Sequence, residues 1–458
     1  MNLETDNKIQ KKGITLVIPN PCGNIKETKM KNSGVEWIGE IPDDWESIRL
    51  KYIYSTTKAK LPKQFYDDKN LTPYLSMDFI RDSINTEPVY AKDGDYCSEE
   101  DILILWDGSN AGEIVFNHPA GYAPSTTAIL KKLSTQSLPV YDKFYLKALE
   151  DDLRRNTNGM GIPHVNGSYL NNSLFLLPPK STQQRIASYL DKKCSKIEET
   201  IQNQQQVIEK LKAYKQSLIT EAVTGKVKIE NGKVCGKYES YKESRLKWLG
   251  DFKIPEKWSN IQVKSFVSIP VVDGPHESPE LFDNGIPYIS ATAIENSKID
   301  FSLKRGFISE KYCDECDKRY KPMRDDILMI KLGATTGQVA IVETDERFNI
   351  WVPLAAIRCN KNIALPKFIF YSFQSDYCLK QMEMSWTFGT QQTLGVSSIE
   401  RLKIFLPNIE TQKTIADYLD KKCTAIDTAI EQKQNLIEKL TEYKKSLIYE
   451  CVTGKKEI

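Results

Sequence analysis

Several absences narrow the field before any motif is read. The chain has no apolar stretch long enough to cross a bilayer, and its first residues are polar, so neither a membrane span nor a signal peptide is expected. Histidine is scarce: His118, His164 and His276 are the only three, which leaves a histidine-based active site poorly supplied. No Gly-x-x-x-x-Gly-Lys-Ser/Thr phosphate loop is present, so ATP-driven movement is not encoded here. Net charge is nearly missing, with 63 Lys and Arg against 61 Asp and Glu. That balance neither demands nor excludes nucleic acid, because a phosphate backbone responds to the local distribution of basic residues. The ten cysteines are irregularly spaced and suggest reduced thiols in a cytoplasm rather than a disulfide framework. With 458 residues, 40% of them hydrophobic and 27% charged, the chain has room for two to four domains with a sizeable core.

What is present is a duplication. Residues 177–226 and 406–455 align without a gap, and 29 of their 50 positions are identical. A shorter pair precedes each half: Trp37-Ile38-Gly39, Ile41-Pro42 and Trp45 against Trp248-Leu249-Gly250, Ile254-Pro255 and Trp258. The period far exceeds that of a solenoid repeat. The chain therefore alternates a variable domain with a long helix, twice.

In the first helix Leu190, Cys194, Ile197, Ile201, Gln204, Ile208, Leu211, Lys215, Leu218 and Ala222 recur at alternating steps of four and three. The second gives Leu419, Cys423, Ile426, Ile430, Lys433, Ile437, Leu440, Lys444, Leu447 and Cys451. Sustained over about five heptads, this spacing predicts a coiled-coil seam. Ser181 or Thr182, and Thr411 in the second copy, are candidate caps, while Gly225 and Gly454 are the stops. Each helix would be roughly 60 Å long at 1.5 Å per residue. Two copies in one chain can pair antiparallel and form a rigid ruler with a globular domain at each end, related by a pseudo-twofold duplication. Gln204 with Lys433, and Lys215 with Lys444, put polar residues at matching seam positions, where they commonly fix register or partner choice.

The globular stretches carry short Val, Ile, Leu, Phe and Tyr runs broken by Gly, Pro, Asn and Asp, which predicts mixed α/β (α+β) domains. They share one feature. Asp101-Ile102-Leu103 with Gly108 and Gly112 matches Asp326-Ile327-Leu328 with Gly333 and Gly337, read as strand, Gly-bounded turn, strand. The turn holds Ser109-Asn110-Ala111 in one half and Ala334-Thr335-Thr336 in the other. Divergent domains beside near-identical helices point to a bipartite, asymmetric target, where similar domains would have pointed to a palindrome.

These residues resemble the specificity (S) subunit of type I restriction-modification systems. The likeness runs from Lys31 to Gly454 and rests on Ser33-Gly34-Val35-Glu36-Trp37-Ile38-Gly39-Glu40-Ile41-Pro42 with Trp45, and on the Leu-Pro that precedes each helix. It rests also on Gln183, Ile186-Ala187 and Leu190-Asp191, their counterparts Gln412, Ile415-Ala416 and Leu419-Asp420, and the closing Val-Thr-Gly-Lys. Residues 1–30 lie outside the likeness and read as an N-terminal tail; the resemblance implies target recognition domain 1 (31–176) and helical spacer 1 (177–226). A linker with the second opening segment (227–258), target recognition domain 2 (259–405) and helical spacer 2 (406–458) follow. It implies double-stranded DNA, two methyltransferase (M) subunits and restriction (R) subunits as partners, with S-adenosylmethionine, ATP and Mg on those subunits and none on this chain.

Catalytic alternatives find little in the sequence. Leu177-Pro178-Pro179-Lys180 and Leu406-Pro407-Asn408 lack the Asn or Asp and the aromatic ring of an adenine-methyltransferase loop. Asp191-Lys192-Lys193 and Asp420-Lys421-Lys422 lack a partner carboxylate and read as solvated or docking faces. Cys313 and Cys316 form a lone Cys-x-x-Cys without a second pair at finger spacing, so no catalytic or metal residues are expected. Candidate DNA contacts, chosen because phosphates take Lys and Arg while base edges take hydrogen-bonding side chains, are Lys58, Lys60, Lys63, Arg81, Ser109, Asn110, Arg154, Arg155, Asn156 and Asn158 in the first domain. In the second they are Lys331, Thr335, Thr336, Thr390, Gln391 and Gln392. The competing classes are a self-contained enzyme such as a fused nuclease-methyltransferase, which the absent cofactor motifs argue against, and a coiled-coil adaptor that binds only protein.

Overall fold

The computed structural model describes residues 29–458 except 83, 84, 160, 245, 247, 249, 250, 389 and 390. Thr390, Arg245, Lys247, Leu249 and Gly250 therefore lie outside the described residues, as does the assigned tail up to residue 28. The fold is mixed α/β and divides into two units, residues 1–201 with 438–458 and residues 202–437. Both long helices, Lys180–Val223 and Ile409–Val452, contribute to both units.

The first unit is organised by an antiparallel sheet in the order Ile114–Val115, Ile102–Leu105, Thr127–Lys132, Tyr54–Lys58. Every residue of Ile102–Leu105 is buried, as expected of a strand covered on both faces. Alternation of side chains then sorts neighbours into two cores. Ile102, Ile104, Ala128 and Leu130 join the core that includes Leu190 and Ile197 of the first long helix. Leu103 and Ile129 face a smaller core with Ala59, Leu75 and Cys97. The helix Pro139–Arg155 buries Tyr141, Tyr145, Leu146 and Leu149 in the larger core.

The second unit repeats the plan with different residues. Its sheet runs Val339–Ile341, Ile327–Ile330, Leu354–Ile357, Val272–Asp273. Ile327, Met329, Ala355 and Ile357 face the core shared with Leu419 and Ile426, and Leu328, Ile330 and Ala356 face the other.

The recurring motifs meet one another inside each unit. Gln183 is 1% exposed and its Oε1 accepts the N–H of Leu138, capping the helix that starts at Pro139. Gln412 does the same for Leu365 and the helix that starts at Pro366. Asp191 accepts from Lys143, and Asp420 from Lys367 and the Tyr371 hydroxyl, while Lys192, Lys193, Lys421 and Lys422 stay exposed. The second long helix is capped by Asn408, whose Oδ1 accepts the Thr411 N–H, so the expected cap Thr411 lies inside the helix. Ser181 and Thr182 likewise sit within the first turn after Pro178-Pro179, which enforce the boundary.

Gly454, at φ +73°, lies against Pro42 and Trp45, and a Cβ there would come within 2.3 Å of Pro42 Cδ. Gly225, at φ +70°, meets Pro255 and Trp258 in the same way, with 2.4 Å to Pro255 Cγ. Both the left-handed backbone and the contact require glycine. This is why Val-Thr-Gly-Lys and the Ile-Pro opening segment recur together: each is the other's packing partner.

The predicted seam is buried or half-buried throughout. Leu190, Ile197, Ile208, Leu218, Leu419, Ile426, Ile437 and Leu447 are buried. Ile201, Leu211, Ile430 and Leu440 are half-buried against the cores. In the first unit Glu198 bonds Lys444 at 2.5 Å, and in the second Lys215 bonds Asp427 at 2.7 Å. Also in the second unit Gln204 accepts from Lys433 at 2.9 Å. As residue numbers rise from 204 to 215 on one helix, their partners fall from 433 to 427, so the strands of the coil are antiparallel. Position 204 faces its own repeat counterpart, 229 residues later.

Candidate nucleic-acid interface

The Gly-bounded turns are superimposable in their bonding. In the first unit Gly112 N–H donates to Leu105 O, Ala111 to Gly108 O and Glu113 to Asn110 O. In the second, Gly337 donates to Ile330 O, Thr336 to Gly333 O and Gln338 to Thr335 O. Gly108, Gly112, Gly333 and Gly337 all have φ between +93° and +101°, a backbone that a side chain would strain.

A second loop is bound to each turn. Asn158 and His164 pair across a short hairpin, Gly108 N–H donates to Pro163 O, and Val165 N–H to Trp106 O. Thr387–Phe388 pairs with Gln392–Thr393, Gly333 N–H donates to Gln392 O, and Leu394 N–H to Lys331 O. Turn and hairpin thus form one platform in each domain. In the first, Ser109, Asn158 and Ile162 are exposed at its tips, with Asn110 half-buried. In the second, Ala334, Thr335 and Gln391 are exposed, with Gln392 half-buried.

Each platform has a carboxylate at its root. Asp107 bonds Lys58 at 2.9 Å and His164 at 2.6 Å. Asp273 bonds Lys331 at 2.9 Å, Arg319 at 2.5 Å and His276 at 3.1 Å. Burial alone would push both carboxyls up, but the bonds from Lys58 and His164, and from Lys331, His276 and Arg319, hold them below their ordinary value.

The candidates from sequence do not all fall on the platforms. Lys58, Ser109, Asn110 and Asn158 come together on the first platform, and Arg81 and Arg154 flank it through Glu113 at 3.4 and 3.9 Å. Lys60 and Lys63 are exposed further along, their backbone N–H groups tied to Asp95 and Asp93. Arg155 and Asn156 are elsewhere: they line a groove of about 770 Å³ with Trp37, Tyr169 and Tyr449. In the second domain Thr335, Gln391 and Gln392 share the platform. Lys331 and Thr336 do not present free groups there: Lys331 is 7% exposed and committed to Asp273, and the Thr336 hydroxyl donates to Gly333 O. Sequence reasoning missed Asp107, Ile162, His164, Asp273 and His276. The hairpins share no residue pattern that would have announced them.

Cys313 and Cys316 lie on the helix Glu310–Arg319, both buried, and burial pushes both thiols up, that of Cys313 to about 11. Among the described residues no group of three or more His, Cys, Asp or Glu gathers as a metal-ligand set.

A family model for the type I restriction modification DNA specificity domain matches residues 42–212 and 255–440. The chain belongs to this family. Its two matched segments each run from an opening segment through a globular domain into a long helix. Among similar proteins of this family, the type I restriction enzyme MjaVIII specificity subunit of Methanocaldococcus jannaschii is 28% identical, over 91% of this chain and 93% of that one. The EcoBI specificity subunit of Escherichia coli is 24% identical over 94% and 90%. A chain from a solved structure, described as the structural basis of complex assembly and conformational transition of the type I R-M system, shares the fold. Its TM-score is 0.62 at 13% identity, with 91% of this chain and 99% of that chain covered. No described helix is long and apolar enough to cross a membrane.

Proposed function

We propose that this chain is the sequence-reading, non-catalytic subunit of a type I restriction-modification complex in the cytoplasm. Each globular domain binds one half of a split, asymmetric double-stranded DNA target through its turn-and-hairpin platform. The paired helices set the gap between the half-sites and dock two methyltransferase subunits, which restriction subunits join. S-adenosylmethionine, ATP and Mg act on those partners. The observation that carries the reading is one scaffold built twice with unrelated tips: identical backbone bonding in both turns, but Ser109-Asn110 on one and Ala334-Thr335 on the other. Direct readout works this way, since base edges are distinguished by the side chains presented and not by the backbone that presents them.

The test is methylome sequencing of cells expressing this chain with a cognate methyltransferase subunit. The expected result is a bipartite, asymmetric methylated motif that disappears when this chain is removed. Assembly of the complex without any motif would refute the reading and favour a protein-only adaptor.

A further inference from the structure

We infer that the carboxylate–lysine pair at the root of each platform is a positioning lock for the base-reading turn, built with opposite polarity in the two domains. This rests on the reading of the platforms as half-site readers. The register places the locks at equivalent points of the two sheets. Lys58 sits opposite Ala128, which sits opposite Ile104 on the strand that runs into the first turn. Asp273 sits opposite Ala355, which sits opposite Met329 on the strand that runs into the second. In the first domain the edge strand supplies the lysine and the turn supplies Asp107. In the second the edge strand supplies the aspartate and the turn supplies Lys331, one residue earlier in the turn than Asp107, since Trp106 O and Lys331 O accept equivalent hairpin bonds.

A contact that survives exchange of both its residues is selected for where it is and not for which residue makes it. The surroundings agree. Each aspartate also takes a histidine, Asp107 the sequence-remote His164 and Asp273 the nearby His276, so two of the three histidines serve these roots. The hairpin bonds Gly108–Pro163 and Gly333–Gln392 hold the turn from its other side. The turn is therefore clamped between hairpin and edge strand, and only its tip is free to vary. A clamp of this kind sets where the tip groups stand relative to a base edge, where a displacement of about 1 Å is enough to break a hydrogen bond. Lys58 and Asp107, and Asp273 and Lys331, are thus positioning residues and need not touch DNA.

The test uses the full chain in complex with its methyltransferase partner, with Lys58→Asp, Asp107→Lys and the double reversal, read by methylome sequencing and by thermal unfolding. Each single change should relax the first half of the motif, with about a tenfold or greater loss of discrimination there, and leave the second half intact. The double reversal gives the first domain the polarity of the second and should restore the motif. The reciprocal variants at Asp273 and Lys331 should act on the second half only. Singles that leave the first half-site unchanged would overturn the proposal, as would a double reversal no better than the singles. So would loss of both half-sites together with a lowered melting temperature, because the pair would then be holding up the fold. If the unaltered chain yields no bipartite motif, the reading of the platforms fails first and this proposal falls with it; a normal motif with unaffected variants refutes the lock alone.

Discussion

Substituting Gly454 by alanine should test whether the end of the second helix and the opening segment are fitted to each other. Two separable penalties follow from the geometry. At φ +73° a side chain costs about 1–2 kcal/mol in left-handed backbone. The new methyl would lie 2.3 Å from Pro42 Cδ, 2.5 Å from Pro42 Cγ and 3.3 Å from the Trp45 ring, all inside van der Waals contact. Overpacking of that kind costs roughly 1–3 kcal/mol, so the total is about 2–5 kcal/mol. Gly232 supplies the control, because its φ is +70° but nothing lies within 4 Å of a Cβ there. Gly232→Ala should therefore show only the backbone penalty. For a unit of about 200 residues, 1 kcal/mol shifts the midpoint by roughly 2–4 °C, so the two variants should separate by several degrees in thermal unfolding followed by tryptophan fluorescence. Adding Pro42→Ala to Gly454→Ala removes the ring carbons and should cost less than the sum of the two single changes. If Gly454→Ala melts no lower than Gly232→Ala, the close approach is not there and the packing account of the recurrent motifs is wrong.

Three further outcomes are expected. Inserting one heptad into each long helix, so that the seam stays in step, lengthens the coil by about 10 Å, or about three base-pair steps. Methylome sequencing should then show a longer gap between unchanged half-sites, and altered half-sites would contradict the division of labour. The Asp107 and Asp273 carboxyls are held low in the folded chain, so their pairs stabilise it above the unfolded carboxylate value near pH 4 and are lost as pH falls through the lower folded values. Asp273→Asn should flatten the acid limb of the stability curve, and an unchanged limb would show that the pair contributes nothing. Of the nine described cysteines Cys235 alone is exposed, and burial pushes thiols such as Cys359 and Cys451 up to about 12. In a Cys22→Ser background a thiol reagent at neutral pH should therefore modify one cysteine quickly, mapped to Cys235 by mass spectrometry, and a second fast site would contradict the packing.

The long helices, their seam and their glycine stops were legible in the sequence because a periodicity of four and three survives any surface drift. The paired turns were legible because Gly108, Gly112, Gly333 and Gly337 answer to backbone geometry, which few other residues can satisfy. Asn158, Gln391 and Gln392 were picked out as polar tips, but the joining of their loops to the turns was not legible, since it is made by main-chain bonds that leave no signature in side chains. The root carboxylates escaped for a different reason: Lys58–Asp107 and Asp273–Lys331 conserve a contact while exchanging its chemistry, so an alignment of the halves shows only mismatch. Lys331 reads as a surface cation from sequence, and only the position of Asp273 across the sheet explains why it is buried.

The meeting of Gln204 with Lys433 has a consequence for how such a chain could exist in pieces. Because the position faces its own counterpart, a dimer of the first half alone would set glutamine against glutamine, and two amides can bond. A dimer of the second half alone would set ammonium against ammonium inside a half-buried seam, which is repulsive. Cut between its halves, the protein would therefore yield one fragment tolerant of its own kind and one that prefers the other, a difference that sedimentation of the separate fragments would display. The unlike pair Gln204 and Lys433 turns two nearly interchangeable helices into a lock that distinguishes self from complement.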